Sequence, residues 1–109
     1  MSRHCFDTLL RGRRVRVVGG YDRPLDEFFL QILLAPLADD PAQQEFLFTS
    51  LCEPGGDWSD PQTLTARLAE LCIAPPASFL PAILEDRRRR IGNRLAVHHF
   101  DRAPEIDDF

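Results

Sequence analysis

The first third of the chain alternates apolar and polar positions with a period of two, the mark of strands buried on one side. Residues 5–10 and 13–18 form two such runs around Arg11-Gly12, a two-residue hairpin turn in which glycine supplies positive φ. In the second run Val15 and Val17 alternate with Arg14 and Arg16, which predicts one buried face and one wet, basic face. Residues 19–24, Gly-Gly-Tyr-Asp-Arg-Pro, break the alternation and are expected to form a shaped loop. Residues 28–34 are apolar at both parities, as in a central strand, and two Phe with bounding prolines weigh against a helix. Residues 45–51 read as a fourth strand, between loops at 36–43 and 53–57.

The period then lengthens. Ser59 or Asp60 caps a helix, Pro61 fits its first turn, and Leu64, Leu68, Leu71 and Cys72 form one apolar stripe ended by Pro75-Pro76. Ser78 caps a second helix, with Leu80, Ile83, Leu84 and Ile91 as its inner side and Gly92 in the stop position. Residues 94–100 read as a last strand. The order β-β-β-β-α-α-β predicts an α+β domain over residues 1–100: a two-layer sandwich, mainly antiparallel, with both helices on one face. Residues 101–109 are expected to be a frayed acidic tail.

Composition narrows the class. Of 109 residues 44% are apolar and 28% charged, ordinary for one folded domain. No run approaches the ~18 apolar residues of a membrane helix, and the opening residues lack the apolar core of a secretion signal. All 13 basic residues are Arg. Residues 1–24 carry six Arg against two Asp, and residues 25–60 carry eight acids and no base. That separation favours cross-strand neutralisation or docking to a partner. A net charge of −4 argues against general nucleic-acid binding. Three cysteines without a CxxC pair point to a reduced, cytoplasmic setting.

Candidate chemistry is sparse. Arg87-Arg88-Arg89-Arg90 is an anion clamp on one reading; on the other it is a solvated helix end stabilised by Glu85–Arg89 and Asp86–Arg90 pairs. Arg87 shares the apolar stripe and is the one member singled out. His4, Cys5, His98 and His99 are the candidate metal donors, but adjacent strand residues face opposite ways, so neither pair would share one ion, and no metal or other cofactor is expected. Cys52 with His98 or His99 as base and Asp57 as orienter is the enzymatic alternative, unsupported by any local signature. Tyr21, Arg23 and Trp58 are large amphipathic side chains in expected loops, the type that anchors interfaces.

Residues 20–25 with Phe28-Phe29, Ile91-Gly92-Asn93-Arg94 and His98-His99 resemble a group of small uncharacterised bacterial proteins, some carried on integron cassettes and similar mobile elements. The resemblance covers about a sixth of the chain. It implies a compact bacterial α+β domain with an accessory role and transfers no catalytic residue. The expectation is therefore a non-catalytic interaction or regulatory protein, binding another protein or a second copy of itself, with Tyr21, Arg23, Trp58 and Arg87 as binding residues. The alternatives are a cysteine-dependent hydrolase or transferase and an anion or nucleic-acid binder.

Overall fold

The computed structural model describes residues 1–35, 37, 39–50 and 57–108. Its strands are β1 (Ser2–Leu10), β2 (Arg13–Asp22), β3 (Glu27–Leu34), β4 (Phe46–Thr49), β5 (Arg94–Val97) and β6 (Glu105–Asp108). Its helices are α1 (Pro61–Glu70) and α2 (Phe79–Arg89), and a 3-10 turn covers Pro41–Gln43. One six-stranded sheet has the order β4-β3-β2-β1-β5-β6. Every pair is antiparallel except β1–β5; the two helices lead from β4 at one edge to β5 and cross one face of the sheet on the way. This is the expected α+β sandwich.

The β1–β2 hairpin turns at Arg11 and Gly12, whose φ values of 52° and 81° are the pair of positive angles a tight hairpin of right-handed twist requires. Beyond it the structure departs from the expected loop at 19–24. Gly19, Gly20 and Tyr21 continue β2, and the chain turns only at residues 23–26, where Asp26 N–H donates to Arg23 C=O at 3.2 Å. The two glycines serve close packing. A Cβ on Gly20 would fall inside the Ser2 carbonyl, and one on Gly19 would meet the Phe79 ring at 3.0 Å. Glycine at these positions lets β1 and α2 approach the backbone of β2.

Both helices end in the same motif without glycine. In α1, Cys72 N–H bonds Ala69 C=O and Ile73 N–H bonds Leu68 C=O, with Cys72 at φ 58°. The helix thus stops before the prolines, and Cys72 is exposed rather than on the apolar stripe. In α2, Arg90 at φ 52° takes the place expected for Gly92, with Arg90 N–H on Arg87 C=O and Ile91 N–H on Asp86 C=O. The buried stripe of α2 is Phe79, Ile83 and Asp86; Leu84 is 44% exposed. The acidic tail is not wholly frayed: Glu105–Asp108 pairs with β5 as an edge strand.

The core lies between helices and sheet. Phe6, Val17, Tyr21, Leu30, Phe79 and Ile83 are its central members, each at or near zero exposure. Even positions of β1 and β3 and odd positions of β2 supply it, as a period of two demands. The opposite face of the sheet carries neither helix.

Candidate functional site

Four side chains from three separate parts of the chain form a hydrogen-bonded line through the helix–sheet interface. Ser78 Oγ is 2.7 Å from His98 Nδ1, and His98 Nε2 is 2.8 Å from His4 Nδ1. His4 Nε2 is 2.5 Å from Asp86 Oδ2, while Asp86 Oδ1 accepts from Arg94 Nη1 at 2.8 Å. His4 and Asp86 have no exposed surface and His98 only 2%. Ser78, half-buried, is the point at which the line approaches the surface.

Local structure explains the placement. His4 lies on the helix-facing side of β1, paired with Gly19 of β2, and its ring meets the Phe79 ring edge-on at 6.5 Å between centroids. The parallel register His4↔Ala96 puts the continuation of β5 beside β1, and His98 N–H donating to Cys5 C=O at 2.8 Å holds His98 in that track. Ser78 and Asp86 are eight residues apart on the approach to and along α2, a rise of about 12 Å, which the two imidazoles span. Ser78 precedes the helix in αR geometry and makes no cap bond. It forgoes roughly 1 kcal/mol of capping in favour of His98.

The charges follow from these contacts. Burial pushes the Asp86 carboxyl up. Hydrogen bonds from His4 and Ser2 with the positive charges nearby outweigh that and hold it below the usual carboxylate range. Burial first, then the neighbouring His4 and His99, lowers His98 to about 4, so its ring is neutral at ordinary pH. An ionised Asp86 only accepts, so His4 Nε2 donates to it. With both rings neutral, His98 Nε2–H donates to His4 Nδ1 and the Ser78 hydroxyl donates to His98 Nδ1. A proton added to His4 reverses the last two bonds without breaking the line. The arrangement is thus a continuous hydrogen-bonded path between Ser78 and the His4–Asp86 pair.

A metal ion has no place between these rings: His4 and His98 face each other at hydrogen-bonding distance, and no cluster of three or more donors occurs among the described residues. His99 points to the other face and bonds Glu105 at 3.0 Å. Cys52, the thiol of the cysteine-dependent alternative, lies outside the described residues, and Asp57 is bonded to Ser59.

The expected anchors fall in different places. Tyr21 is fully buried, its hydroxyl donating to Asp26 at 2.6 Å, and Trp58 is 8% exposed within the core. Tyr21 is interior because β2 extends through it, while Trp58, its C=O tied to Phe28 N–H at 2.7 Å, reaches solvent only at the wall of a hollow. Arg23 is exposed, with Nη1 3.5 Å from Arg90 C=O. Arg87 covers the Phe28 ring at 5.5 Å and donates to Ser59 C=O, which makes it a lid on the core. The expected i,i+4 pairs are absent: Glu85 pairs with Arg88, Asp86 turns inward, and Arg90 reaches Asp26 at 3.9 Å.

Two hollows stand out. One of about 240 Å³ is lined by Trp58, Phe28, Phe29, Arg3, Gln31 and Ser50, and another of about 600 Å³ by residues that include Leu9, Arg14, Arg16 and Phe100. Ser78 lines neither. On the open face of the sheet the paired positions Val97, Cys5 and Val18 make an apolar row, continued by Gln31 and Thr49 on one side and Glu105 on the other. Beside it Arg16 grips Asp7 with two bonds, of 2.7 and 3.1 Å. Compared with protein-family models, curated proteins and solved structures, the chain matches none.

Proposed function

We propose that this is an accessory interaction protein that works through the open face of its sheet, and that the occupant of that face is a second copy of the chain. The observation that carries the reading is the row Val97, Cys5, Val18, apolar at its centre and left without a helix above it. Strands about 4.8 Å apart that rise about 3.4 Å per residue give the face roughly 600 Å². Two copies then bury about 1,200 Å², the lower bound of a stable specific interface.

The charges suit a twofold arrangement. Three strands lie on each side of the β2–β1 boundary. An axis along that boundary lays β2 of one copy over β1 of the other. Cys5 then meets Val18, and each Asp7–Arg16 pair meets the opposite charges of its copy.

Light scattering on the eluting protein tests this across the micromolar range. The expected mass is about 25 kDa, twice the 12.4 kDa chain. Val18→Glu should return the mass to that of one chain with circular dichroism unchanged, whereas Leu84→Glu, on the helix side, should leave the dimer intact. A single-chain mass at every concentration, or a dimer that Val18→Glu leaves whole, overturns the proposal.

A further inference from the structure

We propose that Ser78 is an activated nucleophile that accepts one small activated acyl or phosphonyl group, with His98 as its general base and the His4–Asp86 pair as the destination of the proton. Three observations carry this. Ser78 sits where a helix-capping serine belongs yet makes no cap bond, and its oxygen faces His98 Nδ1 at 2.7 Å. Behind it the contacts lead through two imidazoles to a buried carboxylate, the order in which a base and its orienting acid are arranged behind a serine hydroxyl. Ser78 is also the half-buried member of a line whose other three side chains are sealed, so the serine is the end from which a reagent would approach.

The step balances. Ser78 Oγ attacks the carbonyl carbon or phosphorus of the donor, the Oγ–C or Oγ–P bond forms, and the bond to the leaving group breaks. The Ser78 proton passes to His98 Nδ1 as the His98 Nε2 proton passes to His4 Nδ1. The result is a neutral His98 and a His4 imidazolium against Asp86. The leaving group departs as fluoride or a phenolate. Protonated His98, disfavoured by its burial, is never the resting state, because the positive charge settles beside the carboxylate. Ser78 also lies at the positive end of α2, which favours charge developing on its oxygen. Neither hollow described above includes Ser78, so the expected behaviour is stoichiometric acylation and not turnover of a large, specifically held substrate.

The test uses the full chain with an alkyl fluorophosphonate and with an aryl acetate, read by intact mass and peptide mapping. One adduct on Ser78 is expected, lost in Ser78→Ala and on unfolding in urea. In His98→Gln the labelling rate should fall by roughly 100-fold, the share of a general base, with circular dichroism retained. Asp86 acts through His4 as a positioning residue. The groups facing the line are Ser2 and His4 from β1, Arg94 from β5, and His99 beyond it. With those unchanged, Asp86→Asn should lower the plateau of the labelling rate and move its half-point to lower pH. Absence of an adduct, equal labelling of folded and unfolded chains, or an unchanged rate in His98→Gln overturns the proposal.

Discussion

His4 and His98 lie 94 positions apart in the chain and share a 2.8 Å hydrogen bond in its interior. That bond extends the parallel β1–β5 pairing beyond the end of β5, and Asp86 carries the connection to α2. Removing the carboxylate takes away the buried acceptor of His4 Nε2 and of Arg94 Nη1. Asp86→Ala should therefore cost about 3–5 kcal/mol, the range for breaking one side of a buried charged pair. In urea the midpoint should fall by about 2 M. A loss below 1 kcal/mol would mean that His4 and Arg94 find other partners.

The same network sets a pH dependence. His98 has an ordinary value of 6.5 and a folded value of about 4, so between those limits the unfolded chain binds a proton that the folded chain excludes. Stability is then full above pH 6.5 and falls as pH drops towards 4, by roughly 3 kcal/mol in all. The lowered Asp86 carboxyl adds a further loss below its ordinary value of 3.8. Urea midpoints measured at pH 7, 5.5 and 4.5 check the sign. His98→Gln should flatten the upper part of the slope. A protein more stable at pH 5 than at pH 7 would contradict a neutral His98.

The paired glycines of β2 give a graded test of packing. Gly20→Ala drives its methyl into the Ser2 backbone, which cannot yield without shifting β1, so a loss above roughly 3 kcal/mol or failure to fold is expected. Gly19→Ala meets the edge of the Phe79 ring, a side chain able to turn, and should cost about 1–2 kcal/mol. Thermal melts of the two variants should rank in that order. The reverse ranking would show that β2 is not held against β1 as described.

These glycines also show why the sequence was legible for the sheet and not for the site. Period-two alternation marks Val15, Val17, Leu30 and Ile32 because their burial depends only on strand geometry. Gly19-Gly20 reads as a turn from one segment alone. Its real cause, the proximity of Ser2 and Phe79, depends on elements far along the chain. Ser78 carries the local signal of a helix cap, and nothing near it announces His98. The one available clue was Asp86, seven residues after Phe79 and three after Ile83, an acid on the stripe that faces the core. A stripe drawn from Leu80 and Leu84 turns that acid outward. Parallel pairing of β1 with β5 brings His4 to His98, and no periodicity encodes which strands become neighbours.

The two described thiols should separate cleanly under alkylation. Cys5 is 6% exposed and burial raises its thiol, with Arg16 opposing and Asp7 adding to the shift, so little reactive thiolate is present. Cys72 is exposed at the end of α1. Iodoacetamide on the native protein should modify Cys72 and spare Cys5, and addition of urea should release Cys5. Peptide mapping reads both. Rapid native labelling of Cys5 would mean that the centre of the open face is looser than its packing implies.

Cys72 also supports a stabilising substitution. Its φ of 58° places a side chain in the left-handed region, which for residues other than glycine costs about 1–2 kcal/mol. Its two neighbouring bonds, Cys72 N–H to Ala69 C=O and Ile73 N–H to Leu68 C=O, are backbone contacts that glycine keeps. Part of the gain is lost to the greater freedom of glycine in the unfolded chain. Cys72→Gly should still raise stability by about 0.5–1 kcal/mol, seen as a rise of roughly 4 °C in Tm. An unchanged or lower Tm would mean that α1 does not end at this residue, and that its stripe continues through Leu71 and Cys72 as the sequence pattern alone implies.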